Sequence, residues 1–553
     1  MNQNFVMYAV YLTVAIYLLR KIFIRLQLSK AKHPSVTGHS KMSRRIAGWI
    51  HHYSLDDSKF FSSDDAPSEI ATQRRNAFNR LADAFKTKSP NSIAMSESLE
   101  EGISDVLFTN AYRVPFPFSK YVREHIKLGG IVSESSGVKL KDLDGNWSYD
   151  LSGSYGVNVF GYDVYKQCIE KGMQQVKQLG PVLGAYHPII ADNVERLKRI
   201  SGMDEVSFHM SGTEAVMQAV RLARYHTRRT HLVRFCGAYH GWWDGVQPGI
   251  GDRRKVSDVY TLKDMDQDTL RVLRTRKDIA CILINPTQAM HPNSNAPSDS
   301  MLFGSGRKAR FDRDAYSHWL NELRQVCNER GIVMIMDEVF VGFRLAYGGA
   351  QEYFNVKADL VTYGKTLGGG LPVGVVCGNH ELMQRFNPNR PLDICFARGT
   401  FNSHPYVMAS MNEFLKYIDQ PTVRESYKTL DNLWDNRVKQ LNKMLLIDEL
   451  PIRIVNLMSI WTILFTVPSR YNWMYQFYLR EQGLNISWVG SGRIIMSHNY
   501  SDEDYQQVCE RIVNAAKSMK NDGWWWQDTT LDNKSIQRHL VKELINARFS
   551  TSS

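Results

Sequence analysis

The chain has 553 residues, 43% hydrophobic, 22% charged and 11% aromatic, with a formal net charge of +12. That composition supplies a large apolar core, excludes a generally disordered chain, and at this length accommodates two to four domains. A basic balance admits nucleic acid, an anionic membrane surface or anionic ligands, but there is no Cys/His zinc spacing and no long Lys/Arg run with interleaved aromatics, so neither nucleic acid nor a metal is expected.

Phe5 to Leu19 carries no charge, and extended to Ile24 the run is long enough, at about 1.5 Å per residue, to cross a hydrocarbon core of about 30 Å. Arg20 and Lys21 near its end can snorkel to the interface. Arg25, Lys30 and Lys32 follow and no Lys or Arg precedes, which orients the C-terminal body toward the cytoplasm. Residues 1–30 are therefore expected to form a membrane anchor. The alternatives are a buried core helix and a signal peptide, although a basic leader and a small-residue cleavage site are both missing. The seven cysteines (Cys168, Cys236, Cys281, Cys327, Cys377, Cys395 and Cys509) form no CxxC pair, imply no disulfide framework and fit a reducing compartment.

Residues 31–110 read as a linker followed by a helical extension. The linker is the polar stretch 31–65, and the spacing of Ile70, Phe78, Leu81, Ala82 and Phe85 predicts an amphipathic helix over Pro67–Phe85. Asp144-Gly145 between alternating runs predicts a hairpin. From about 205 to 380 short apolar runs alternate with helical stretches: Val206–Met210, Leu232–Cys236, Ala280–Ile284, Ile332–Met336, Leu360–Tyr363 and Val373–Cys377. Alternation of this kind predicts an α/β fold with a mostly parallel sheet. The expected units are an N-terminal arm and large domain over 111–405, a smaller α+β domain over 406–520, and a helical tail over 521–553.

Three segments carry chemistry. Asp337 closes an apolar strand, at the carboxyl end where open α/β sheets place ligands. Lys365 follows another short strand and precedes Gly368-Gly369-Gly370, whose lack of side chains lets the backbone approach a bulky ligand. Schiff-base chemistry with pyridoxal phosphate needs a lysine that can lose its proton and a carboxylate on the ring nitrogen, and Lys365 and Asp337 suit those roles. A surface lysine in a turn and an N-capping aspartate are the plainer alternatives. Ser211-Gly212-Thr213 ends one strand and opens a helix, an anion site or a simple cap. Tyr239, after the next strand, is either a ring that stacks on a cofactor or a core tyrosine.

In order and wording these segments, across about Arg113 to Asp502, resemble class III aminotransferases, and within them the glutamate-1-semialdehyde 2,1-aminomutase group. The resemblance is carried by Ser211-Gly-Thr-Glu-Ala215, Tyr239-His240-Gly241, Asp337-Glu338-Val339 through Arg344, Gly364-Lys365 with Gly368 to Gly374, and Gly399-Thr400-Phe401. It implies a fold-type-I homodimer with shared active sites, pyridoxal 5'-phosphate as cofactor, and a small-molecule amino donor and carbonyl acceptor. It also implies residue roles. Lys365 holds the cofactor as a Schiff base and shuttles protons, and Asp337 pairs with the ring nitrogen. Ser211, Gly212 and Thr213 hold the phosphate with Thr400 of the neighbouring subunit. Tyr239 stacks, and Gln288 lies near the ring hydroxyl. Arg113 aligns with the carboxylate-binding arginine and Tyr155 with a substrate-side aromatic. The chain departs from the pattern at Asn285-Pro286, where the family has Glu-Pro, at Gly161 to Tyr165, and at Trp488 to Arg493, which stands in place of an acidic gating segment and makes Arg493 a further substrate-side residue.

The expected activity is transfer of an amino group to an aldehyde or ketone, with the anchor pointing to a lipophilic or secondary-metabolite substrate. The 2,1-aminomutase reaction, another pyridoxal-phosphate reaction, and an inactive membrane-tethered scaffold of the same fold are the alternatives.

Overall fold

The computed structural model describes residues 3–32, 40–246, 257–289, 311–487, 493–528 and 530–550. Its centre is a seven-stranded sheet built from β1 (Glu205–His209), β2 (His231–Phe235), β3 (Val259–Leu262), β4 (Ile279–Ile284), β5 (Val333–Asp337), β6 (Leu360–Gly364) and β7 (Gly374–Gly378). The order is β1-β7-β6-β5-β4-β2-β3, with β7 antiparallel to both neighbours and the β3-β2-β4-β5-β6 pairings parallel. Every residue of β4, β5, β6 and β7 is buried, which is why these strands read as unbroken apolar runs.

Helices cover the sheet. Gly212–Thr227 starts at Ser211, whose hydroxyl accepts the Glu214 N–H, and buries Ala215, Val216, Ala219, Val220 and Ala223. Arg313–Arg330 is capped by Asp312 at its start and ends at Gly331, whose φ of +56° suits the left-handed cap. Beyond this body, an antiparallel sheet of Ile452–Leu457, Ile460–Phe465 and Arg493–Ile495 packs with the helices Pro421–Ile447 and Asp502–Asn521. The hairpin expected around Gly145 pairs Lys139–Lys141 with Trp147–Asp150.

The N-terminal portion is more ordered than a linker. The stretch 31–65 contains helices Ser40–Trp49 and Asp57–Phe60. Ser68–Lys88 is the amphipathic helix its spacing predicts and buries Phe78, Leu81, Ala82 and Phe85. Two more helices follow, Pro90–Glu100 and Ser104–Tyr112. The extension is locked to the C-terminal tail by the buried Arg74. Its guanidinium donates twice to Asp64 at 2.8 Å, to the Phe61 carbonyl at 2.9 Å and to the Gly523 carbonyl at 2.8 Å. The N-terminal helix runs from Gln3 to Ala31, and an 18-residue stretch within its Val6–Ala31 portion has a mean hydropathy of 1.6 with none of that stretch buried in the protein. Its last turn is docked. The Ala31 carbonyl accepts the Lys263 N–H at 3.0 Å, Lys32 bridges to Leu262 of the edge strand β3, and Ala31 is fully buried.

Candidate active site

The sheet topology delivers the chemistry-bearing residues to one edge. Ser211 follows β1, Tyr239 follows β2, Asn285 follows β4, Asp337 ends β5 and Lys365 follows β6, all at carboxyl ends of strands that run the same way. Close packing confirms the convergence. A Cβ added to Gly212 would lie 2.6 Å from Val339 Cγ1, and one on Gly364 would meet the same methyl at 3.2 Å and Gly212 Cα at 3.6 Å. The helix start, the aspartate turn and the lysine loop therefore stand shoulder to shoulder, with glycine required where two backbones meet.

Asp337 is buried, with 3% of its surface exposed. One carboxylate oxygen accepts the Val339 N–H at 3.1 Å and the Thr362 hydroxyl at 3.3 Å; the other meets His240 Nδ1 at 2.7 Å. His240 is equally buried, and its Nε2 has no partner. No role for His240 follows from the sequence, because nothing local ties it to an aspartate 97 residues away. Lys365 has φ of +46°, an unfavourable conformation for a lysine of the sort that accumulates at functional sites. Burial lowers its ammonium pKa and the Asp337 charge opposes that shift, so desolvation favours the neutral amine. Thr366 beside it shares a 2.6 Å hydrogen bond with Tyr165, which braces the loop.

Glu338, next to Asp337, is enclosed and its carboxyl is pushed up to about 8 by desolvation, although it accepts the Ala350 and Gln351 N–H groups at 2.7 and 3.1 Å. It ties the turn after β5 to the following helix, not to the site. Asn285 donates to the Tyr239 carbonyl at 3.2 Å and accepts the Thr287 hydroxyl at 2.7 Å, so it shapes the floor beneath Tyr239. Tyr239 is exposed, and its phenol pKa is raised first by burial and then by the nearby Asp337 charge. The Ser211 hydroxyl is engaged in capping; Thr213 packs against Gly241, where a Cβ would come within 2.5 Å of Thr213 Oγ1. The Gln288 side chain lies outside the described residues. Thr400 stands in an exposed turn, next to Gly399, whose added Cβ would be 3.9 Å from Glu214 Oε2.

On the substrate side, Tyr155 has φ of +56° and Gly156 follows it, with room for a Cβ blocked by Phe340 at 2.5 Å and by Lys365 Cδ at 3.5 Å. Arg113 and Tyr155 line one cavity, and burial lowers the Arg113 guanidinium to about 10. Arg493 is not among that cavity's lining residues; it begins the strand Arg493–Ile495 of the small domain. Arg480, unremarked in the sequence, lines the cavity with Arg113. The signal was an arginine directly after the buried run Tyr475–Leu479.

A buried carboxylate, a lysine whose ammonium form burial disfavours, a helix start and glycine-lined approaches together fit pyridoxal phosphate. Fold and site define a fold-type-I pyridoxal-phosphate transferase. The pattern of the class-III aminotransferase family (Aminotransferase class-III) matches residues 121–254 and 313–516, and the chain belongs to that family. It is similar to the glutamate-1-semialdehyde 2,1-aminomutase of Alkaliphilus oremlandii, 28% identical over 447 residues that cover 75% of this chain and 99% of that enzyme. It is also similar to the enzyme of that name from Methanococcus maripaludis, 32% identical over 64% of this chain and 77% of the relative. Among solved structures, a transaminase with pyridoxal phosphate bound superposes with a TM-score of 0.59 at 24% identity, covering 71% of this chain and 92% of that one. A glutamate-1-semialdehyde aminomutase from Pseudomonas aeruginosa superposes with a TM-score of 0.64 at 16% identity, over 81% and 99% of the two chains. The protein is thus a pyridoxal-phosphate-dependent enzyme of the aminotransferase and aminomutase type, and the scaffold alternative falls away.

Proposed function

We propose that the chain transfers an amino group from a small-molecule donor to an aldehyde or ketone acceptor, with Lys365 as the residue that holds the cofactor and moves the proton. The observation that carries this reading is the shared placement of Lys365 and Asp337: a lysine that burial turns toward the neutral amine, beside a buried carboxylate fixed by three hydrogen bonds. Bound pyridoxal phosphate supplies the electron sink that lets a C–H bond next to nitrogen release its proton. Asp337 holds a positive charge at the ring nitrogen, and His240 orients Asp337. Gly212 and Thr213 would hold the phosphate with their N–H groups, Tyr239 would cover the ring, and Arg113 would receive an acidic group of the substrate. Borohydride reduction and peptide mapping of the purified enzyme should place the pyridoxyl group on Lys365, and an amine donor should bleach its visible band. Labelling at a different lysine would remove the assignment.

The 2,1-aminomutase reaction is the second reading, supported by the names of the relatives and by Arg113. The two differ in the source of the product's nitrogen: a labelled external donor marks the product of amino transfer, while the aminomutase needs no external donor and exchanges nitrogen only among its own substrate molecules through the cofactor.

We also read the Gln3–Ala31 helix as one membrane span with the catalytic body on the cytoplasmic side, on its length, apolarity and one-sided basic flank. A homodimer that supplies Thr400 across the interface is favoured by the exposed apolar side chains Leu392, Ile394, Phe396 and Phe401 around that turn. Sedimentation of the detergent-solubilised protein checks the dimer.

A further inference from the structure

Beyond Tyr155 lies a cavity of about 550 Å³, and much of its wall comes from residues 85–113, which precede the family match. Phe85, Ile93, Leu99 and Val106 form an apolar side from this extension, and Leu128 and Val132 continue it. Two arginines enter from the side nearer Tyr155. Arg113 sits just past the end of helix Ser104–Tyr112, and its Nε and Nη1 are sealed from solvent without a hydrogen-bond partner. Arg480, in helix Tyr475–Glu481, donates to the Ile486 carbonyl at 2.7 Å and weakly to Asn485 at 3.4 Å, and its Nε is sealed and unpartnered.

Among the described residues, neither guanidinium is in an ion pair. Burial lowers the Arg480 pKa and the Arg113 charge lowers it further, while Tyr155 acts in the opposite direction on both. The remaining charges do not neutralise them. Asp142 is consumed by Ser89, Asn146 and the Asp144 N–H, and Asp105 is an exposed first-turn residue of its helix. Lys127 and Lys141 pair with Glu97 and Glu134, and Lys88 is turned to the Glu481 carbonyl. Two buried cations without an anion repel each other, and leaving them unpaired is costly. Two planar guanidinium forks that line one cavity suit a carboxylate.

We propose that Arg113 and Arg480 together clamp the carboxylate of an amphipathic oxo-acid or amino-acid substrate whose hydrocarbon portion lies along the wall built by the N-terminal extension. This rests on the amino-transfer reading above and narrows its substrate class: Arg480 and the extension wall select an acid with a chain longer than a short semialdehyde. Tyr155 and Gly156 connect the clamp to Lys365, since Gly156 abuts the Lys365 side chain.

The test measures binding of acetate, hexanoate and hexanol to the full-length holoenzyme by calorimetry and by thermal shift. Hexanoate should bind at least tenfold more tightly than acetate, and hexanol should bind weakly. Arg480→Gln and Arg113→Gln should each weaken hexanoate at least tenfold, and Arg480→Lys should recover part of the loss. Without ligand, the Gln variants should melt no lower than the parent, because removing one of two repelling cations relieves strain; a purely structural arginine would instead lower the melting temperature. Hexanoate binding unchanged in both Gln variants, or no preference over acetate, would overturn the proposal even with Lys365 correctly labelled. If labelling at Lys365 fails while arginine-dependent hexanoate binding persists, the amino-transfer reading falls and the clamp stands.

Discussion

At the scale of single residues, reactivity here is a matter of which protons are held and which are free. Lys365 needs an unprotonated amine, and its desolvation moves it that way against the pull of Asp337. Three hydrogen bonds fix the Asp337 carboxyl group in one orientation, as the role proposed for it requires. Replacing Asp337 by Ala should leave cofactor attached to Lys365 but cut turnover by more than about a hundredfold, because the electron sink depends on a protonated ring. Near-normal turnover in that variant would count against the role. His240→Phe removes one hydrogen bond to a charged group, worth about 1.5–3 kcal/mol, so kcat should fall roughly 10- to 150-fold with KM little changed. A change confined to KM would show that His240 does not act through Asp337.

Among the elements, two buried contacts decide how the extension and the small domain attach. Arg74 bridges the loop before its own helix to the tail after the Asp502–Asn521 helix, and it lies over the Tyr471 ring with its guanidinium 4.5 Å from the centroid. Asp64→Ala strands that cation inside the protein and should cost about 3–5 kcal/mol, read as a lower denaturant midpoint. A loss under 1 kcal/mol would mean that the pair is solvated. His498 accepts from Trp434 Nε1 at 3.1 Å and donates to the Arg344 carbonyl at 2.9 Å, an arrangement that only the neutral ring satisfies. Desolvation, with the Arg344 charge behind it, lowers its pKa to about 3. The folded state thus refuses a proton that the unfolded chain accepts near 6.5. The stability His498 contributes is full above that value and is lost as pH falls toward about 3. The melting temperature of His498→Gln should trail the parent most at pH 7, and the gap should narrow by pH 4; a gap that stays constant would refute the assignment.

For the whole molecule, the question is how the catalytic body sits against a bilayer. The N-terminal helix has 29 residues, about 44 Å at 1.5 Å per residue, against a core of about 30 Å. Its surplus turns are not loose, because Leu28 packs on the body's core and Ala31 and Lys32 engage β3 and the residue after it. The body is therefore held against the C-terminal end of this helix instead of swinging on a tether. Deleting residues 1–24 should yield soluble protein with cofactor bound, while the full chain should resist alkaline carbonate extraction. Deleting 1–32 should lower the melting temperature further by uncovering β3. Full-length protein recovered in the soluble fraction would make the segment a surface helix and remove the membrane from the functional reading.

What the amino-acid sequence by itself determined was local. An uncharged run marks the N-terminal helix, unbroken apolar runs mark β4 to β7, and a lysine before three glycines marks the cofactor loop, because burial and backbone freedom are written residue by residue in side-chain type. The edge strand β3 left no comparable trace, since four residues carry too short a pattern. The helices inside 31–65 were likewise hidden by their polar composition. The tertiary structure alone decided that His240 meets Asp337, that Arg74 meets Gly523, and that Arg480 comes to face the cavity of Arg113. Each joins residues far apart in the chain, and such charge partnerships are set by strand order and helix docking, which no local window of residues records.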